Sequence, residues 1–275
     1  MKFNTHVKSD HTQRRDGRQA HAWAAPPADV RASDDVVDLW RLPLALRPPR
    51  DAERFRQTLS ADEAERAARF HFDRDRDRFT AARAQLRAVL ALYLRTEPAR
   101  LRFAYGPHGK PALAGGPAGG GDSALRFNLA HSHELALLAV TRSHEVGVDL
   151  EHVRPDFATE DIAERFFSRR EAAALRALPE GVARVEAFFR CWTRKEAFIK
   201  AKGEGLSFPL SLFTVSLAPG EPAALLGCDT DAGETERWTL INLEPGAGYF
   251  AAAAAEGRGW HVRTFEAGMN LFERP

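Results

Sequence analysis

Two stretches of this chain carry a hydrophobic pattern with a charge out of place. Between Arg184 and Lys202, the positions Val185, Phe189, Trp192, Glu196 and Ile199 follow at steps of four, three, four and three, the spacing of one helix face. Four are apolar and the fifth is an acid. A charge facing a packed interior is costly unless it is paired or holds a cation. Lys200, one turn beyond Glu196, offers a pair; a metal or phosphate site is the other reading. In Glu145–Glu151, Val146, Val148 and Leu150 alternate with Gly147, Asp149 and Glu151, which predicts a strand with both acids on one face. Its carboxylates fall about 6.5–7 Å apart, a span that one hard cation and its waters bridge. Gly147 is expected to leave room on that face for a bulky group. With Glu196, the pair makes an oxygen-only set of the kind magnesium shares with a substrate's phosphates.

The same periods predict the rest of the chain. Strands are expected at 35–44, 101–105, 126–131 and 135–141, a Pro-rich turn at Pro48-Pro49, a helix opened by Ser60, and a long helix over 73–95. After residue 150 come helices at 159–166, 170–178 and 184–202, then strands at 213–217, 238–243, 249–255 and 260–265. Each half reads as helices plus a small, mostly antiparallel sheet. The expectation is an α+β fold of two similar subdomains, residues 34–148 and 149–275, with a ligand cleft between them. Residues 1–33 mix Lys, Arg, His, Asp and Pro without apolar periodicity and are read as a disordered leader. The glycine-rich run 115–121 lacks the Gly-Lys-Ser/Thr ending of a phosphate loop and is read as a connector.

Composition narrows the class. The 275 residues are 44% hydrophobic and 28% charged, as in a globular protein, and no apolar run approaches the ~20 residues of a membrane span. Only Cys191 and Cys228 are present, so a reduced, cytoplasmic protein without disulfides is expected. A net charge of +1 excludes a global basic field, so an anion must be met by local cations.

Arg66, Arg69, Arg74, Arg76, Arg78, Arg83 and Arg87 crowd the first helices, with Asp73, Asp75 and Asp77 among them; they are read as surface arginines. Arg66 and Arg69, one turn apart, suit a paired anion contact. Lys110 sits in a Gly-Lys-Pro turn where an ammonium can meet a phosphate. Asn128 and His131 end the strand 126–131, where a structural role and a ligand role are both open.

In the order Gly109-Lys110-Pro111, FNLAHS at 127–132, GVDLE at 147–151 and WTRKEAFIKAKGEGL at 192–206, these motifs resemble the 4′-phosphopantetheinyl transferases of the Sfp type, over about residues 36–266. The resemblance implies a pseudo-twofold monomer with coenzyme A in the cleft and Mg2+ on its pyrophosphate. It further implies transfer of the phosphopantetheine arm to a serine of an apo acyl or peptidyl carrier protein, releasing 3′,5′-ADP. Carried over by position, Asp149, Glu151 and Glu196 are the metal ligands. Lys110, His131 and Lys200 contact phosphates, Asn128 lies in the same motif, and Arg66 with Arg69 meets the adenosine end. Glu196, Lys200 and His131 are the residues at the reaction centre. Two departures stand out. Ala130 replaces the serine usual before the histidine, and Glu63 occupies a commonly basic position, so weaker coenzyme affinity is expected. Arg165, Arg169 and Arg170 are candidates for receiving the acidic carrier.

Three other readings stay open at this point. A metal-dependent nucleotide or coenzyme phosphohydrolase uses the same acids and lysines but needs water, not a carrier serine. A non-catalytic module binding carrier domains or coenzyme A needs neither, and the intact set Asp149, Glu151, Glu196 and Lys200 argues against it. Nucleic-acid binding through the Arg-rich helix is disfavoured because neighbouring acids cancel its charge.

Overall fold

The computed structural model describes residues 22–45, 49–114 and 124–272. In chain order the regular elements are β1 (Val36–Pro43), α1 (Pro49–Thr58), α2 (Ala61–Ala68), α3 (Asp73–Leu94), β2 (Phe103–Tyr105), β3 (Pro111–Leu113), β4 (Leu125–Ser132), β5 (Leu135–Arg142), β6 (Val146–His152), α4 (Glu160–Phe166), α5 (Arg169–Arg176), α6 (Val182–Lys202), β7 (Phe213–Val215), β8 (Leu225–Cys228), α7 (Glu234–Arg237), β9 (Trp238–Leu243), β10 (Tyr249–Glu256) and β11 (His261–Glu266). The class is α+β, as expected.

Two sheets carry the fold. The first has the order β11-β1-β5-β4 and the second β6-β10-β9, with β1–β11 parallel and the other pairs antiparallel. Period-two alternation splits the side chains of β1 between two cores. Trp40 and Leu42 join Leu86, Val89 and Leu90 of α3, while Val37 and Leu39 join the opposite cluster. The second sheet does the same: Leu240, Ala252 and Ala254 pack with Phe188, Phe189 and Phe198 of α6. Val146, Val148, Leu150, Ala251, Ala253 and Ala255 fill the cluster shared with the first sheet. Burial of each large apolar side chain of α6 contributes about 1.5–3 kcal/mol, which fixes the helix on its sheet.

The edges of β4 and β6 are tied by side chains. Asn128 Oδ1 accepts from the Val148 amide at 2.9 Å, and Ser132 Oγ accepts from the His152 amide at 3.0 Å. On the far side of β6, α6 comes down onto the strand at Gly147. A Cβ there would lie 2.2 Å from the Ala197 carbonyl oxygen and 2.3 Å from the Ala201 nitrogen. The space expected at Gly147 for a bulky ligand is therefore taken by the helix backbone. Glycine is the residue that permits this approach.

Several expectations are corrected. Residues 22–33, placed within a disordered leader, are docked: Ala24 bridges Phe265, the Trp23 indole donates to the Glu244 carbonyl at 2.9 Å, and Val30 is buried in the first core. Residues 1–21 lie outside the described set. The division between residues 148 and 149 falls inside β6, and the first sheet takes an edge strand, β11, from the end of the chain. Pro49 begins a helix, since proline's missing N–H has no partner to lose in a first turn; Pro48 and the run 115–121 lie outside the described residues. Arg83 and Arg87 are buried, not surface groups. Both cysteines are buried free thiols, and among the described residues no helix is long and apolar enough to cross a membrane.

Candidate functional site

β6 and α6 build the site together. Because Val146, Val148 and Leu150 point into the shared core, Asp149 is turned the other way, to the side of α6. It is 3% exposed. Lys200, reaching across from α6, donates to Asp149 Oδ1 at 2.5 Å, and Oδ2 has no hydrogen-bond partner. Glu151, two residues on and half-buried, accepts from Ser132 Oγ at 3.1 Å. Glu196 stands one turn before Lys200 on the same helix. The pair expected within the helix is thus made across the elements instead, between Lys200 and Asp149.

The acids feel one another. Burial, and then the charge of Asp149, push the Glu196 carboxyl up to about 7, with Lys200 opposing and Glu151 adding. Burial and then Asp149 also raise Glu151, against the Ser132 hydrogen bond. Burial alone would lower Lys200, but the charge and hydrogen bond of Asp149 outweigh it and raise the ammonium's pKa. Such a surplus of carboxylates, with one buried oxygen orphaned, suits a hard cation. Even so, among the described residues no three His, Cys, Asp or Glu side chains are already assembled to hold a metal. The donor set fits Mg2+ when phosphate oxygens and water complete it, as that ion's preference for retained waters allows.

His131, at the end of β4, is exposed in the site's mouth. The surrounding protein lowers its pKa first, followed by the charges of Lys200 and Arg78. Arg78, on α3, also pairs with Glu134 at 3.6 Å. It belongs at the site's edge, and sequence reasoning left it in the general run of arginines. Its helix position one turn before Ala82 and the buried stripe, unlike that of Arg74, was the available signal.

The other sequence candidates are placed as follows. Asn128 is buried, its oxygen spent on Val148. Lys110 donates to Glu145 at 2.7 Å and to the Ala201 carbonyl at 2.9 Å. Glu145 lies four residues before Asp149, roughly 13 Å back along an extended strand. Arg66, on α2, stands over the Phe79 ring of α3 at 5.3 Å, and Arg69, the C-cap of α2, pairs with Glu65 at 3.7 Å. The structure shows no contact from either to the acids. Ala130 lies in the cluster between the sheets, so the hydroxyl it lacks would not face the open side.

Glu63 calls for correction. Its carboxylate is buried, accepts from Arg83 Nε at 2.8 Å and Arg87 Nε at 2.5 Å, and closes a capping box with Ser60. The acid at this position serves the α2–α3 packing, so it does not stand where a ligand's phosphate would be repelled.

Comparison with known proteins covers both sheets. A family model described as 4′-phosphopantetheinyl transferase superfamily matches residues 145–254, the span from Glu145 through β10. One described as 4′-phosphopantetheinyl transferase, N-terminal, matches residues 48–143. The chain is 41% identical over 243 residues to the 4′-phosphopantetheinyl transferase HetI of Nostoc sp., covering 88% of this chain and 97% of that protein. It is 32% identical over 165 residues to the 4′-phosphopantetheinyl transferase Sfp of Bacillus subtilis, covering 60% of this chain and 69% of that protein. It is also 32% identical over 165 residues to an L-aminoadipate-semialdehyde dehydrogenase-phosphopantetheinyl transferase of Xenopus laevis, covering 58% and 54%. With Asp149, Glu151, Glu196 and Lys200 gathered by the matched segment, and with near full-length identity to one relative, the chain belongs to the 4′-phosphopantetheinyl transferase superfamily.

Proposed function

We propose that this enzyme transfers the 4′-phosphopantetheine arm of coenzyme A to a serine hydroxyl of an apo acyl or peptidyl carrier protein and releases 3′,5′-ADP. The observation that carries this reading is the Lys200–Asp149–Glu196–Glu151 group, where a half-buried ammonium meets three mutually repelling acids. We read the two sheet-and-helix layers, α3 on the first and α6 on the second, as pseudo-twofold partners flanking the coenzyme. The protein is proposed to act as a cytoplasmic monomer.

Phosphoryl transfer asks for alignment and charge neutralisation more than for covalent help. Mg2+ held by Asp149, Glu151 and Glu196, when bound, supplies neutralising charge at the pyrophosphate. Lys200 is placed to bind a phosphate oxygen, and its partner Asp149 keeps it protonated and oriented. His131 and Arg78 form the mouth that receives the nucleotide side of the substrate. Lys110 is assigned to a phosphate at the C-terminal end of α6 once it leaves Glu145. Arg66 and Arg69 are assigned to the 3′-phosphate and Asn128 to holding β6 in register. Glu196 is assigned the proton of the attacking serine, directly or through an ordered water.

Intact-mass measurement on a panel of apo carriers, with coenzyme A and Mg2+, tests the reading. A gain of one phosphopantetheine group on a serine is the expected result. Release of 3′,5′-ADP without any carrier would instead assign hydrolysis.

A further inference from the structure

Arg194 is a buried charge with no carboxylate in hydrogen-bond or ion-pair contact; Glu221 acts on it only through its charge, without a contact. Elsewhere among the described residues, buried charges have partners of opposite sign: Glu63 with Arg83 and Arg87, Glu171 with Lys195, Asp38 with Arg263, Glu234 with Lys202, and Arg190 with Glu186. Arg194 is 1% exposed, yet its contacts are neutral. Nη1 donates to the Ser216 carbonyl at 2.6 Å and hydroxyl at 3.0 Å, Nη2 reaches Asn242 Oδ1 only at 3.4 Å, and Nε has no partner. A guanidinium taken out of water without a counter-charge in contact is costly.

A cavity of about 1000 Å³ adjoins it. Arg190, Arg194 and Asn242 are in its wall, and Glu186, Glu221 and Glu244 also line it, Glu186 being paired with Arg190. The outer strand β9 borders it, and the described residues show no hydrogen bond to the outward backbone groups of residues 240–243. This is not the site of Asp149. On α6, Arg194 lies about 200° around the axis from Glu196, so the helix turns one side to β6 and the other to β9.

We propose that this cavity is a second ligand site, taking a small oxyanion, phosphate or carboxylate, whose charge Arg194 and Arg190 together balance. The guanidinium fork matches such a group in two-point contact. The exposed Asn242 closes over Nη2 with a long bond that an oxyanion replaces.

The test compares wild-type protein with Asn242→Asp, which sets an internal carboxylate beside Arg194 at an exposed position. Melting temperature is followed against inorganic phosphate or citrate, at ionic strength held constant with chloride and with saturating coenzyme A present. Wild-type protein is expected to show a saturable rise. Asn242→Asp is expected to melt higher in chloride alone and to bind the oxyanion at least about tenfold more weakly. Arg194→Met, where it folds, loses the rise as well. A response to phosphate only, or to citrate only, assigns the ligand's class. No saturable rise in wild-type protein, or the same rise in Asn242→Asp, overturns the proposal.

Discussion

The ammonium of Lys200 on α6 meets Oδ1 of Asp149 on β6 at 2.5 Å, while the other oxygen of that carboxylate has no partner. One half of Asp149 therefore holds the lysine, and the other is open to a cation. Lys200→Met removes the charge paired with Asp149 and opposing Glu196, leaving Arg154 acting on Glu151 alone, with a third of the lysine side chain still reaching solvent. A fall in stability of about 1–3 kcal/mol is expected, below the cost of breaking a fully buried pair. Turnover should drop at least about 100-fold, the scale of one lost charge-stabilising donor. Adding Asp149→Asn to Lys200→Met should recover stability and leave turnover low, read by melting and by carrier loading. Recovery of both together would count against a catalytic role for the pair.

Gly147 sets the distance between those two elements. Gly147→Ala places a methyl group 2.2 Å from the Ala197 carbonyl oxygen, a backbone atom that cannot swing away. Strand and helix must separate, at an expected cost of about 2–4 kcal/mol. Since Asp149 and Lys200 sit on the two elements being parted, turnover should fall further than the folded fraction does. Denaturant titration alongside single-turnover loading checks this, and equal losses in both would show that only folding was harmed.

What was legible in the chain follows from what periodicity reports. The alternation around Asp149 correctly separated core-facing from acid-bearing positions, and the helical spacing placed Glu196 and Lys200 on one helix. Periodicity does not say what covers a face, so the absent side chain of Gly147 was read as room for a ligand when the helix backbone filled it. It also treats arginines in a charged run as wet. Arg83 and Arg87, one turn apart, share a face, and both reach the same buried carboxylate of Glu63, twenty or more residues earlier. Pairings at long range, such as β11 beside β1 or Trp23 on Glu244, rest on contacts with no local signature.

Glu63 gives the acid end of the stability profile a definite sign. Burial would raise its pKa, but the hydrogen bond from Arg87 and the charge of Arg83 prevail and lower it. A carboxylate depressed in the folded state contributes stability above its unfolded value, about 4.3, and loses it as pH falls through the lower folded value. Glu63→Gln strands two buried guanidinium groups and is expected to cost about 3–5 kcal/mol at neutral pH. Its melting temperature should then change less than the wild type's as pH falls from 5. Since the side chain faces α3, the KM for coenzyme A should stay within about twofold. A large rise in that KM with unchanged stability would return Glu63 to the ligand site.

Magnesium binding should depend on the coenzyme. Asp149, Glu151 and Glu196 repel one another, but among the described residues no three ligating side chains are assembled as a cage. Lys200 also already takes one oxygen of Asp149. Mg2+ favours strict octahedral geometry and keeps its waters, so it gains little from such a set until phosphate oxygens complete it. Mg2+ alone is therefore expected to move the melting temperature slightly, and coenzyme A alone moderately. Together they should exceed the sum of the separate shifts, because each binds the form the other favours. At concentrations near a hundred times the dissociation constant, a ligand binding only the folded state contributes about 2.7 kcal/mol. Glu196→Gln should shrink the excess while leaving the shift from coenzyme A alone in place. Strictly additive shifts in the wild-type protein would mean that the cation and the coenzyme do not share these three acids.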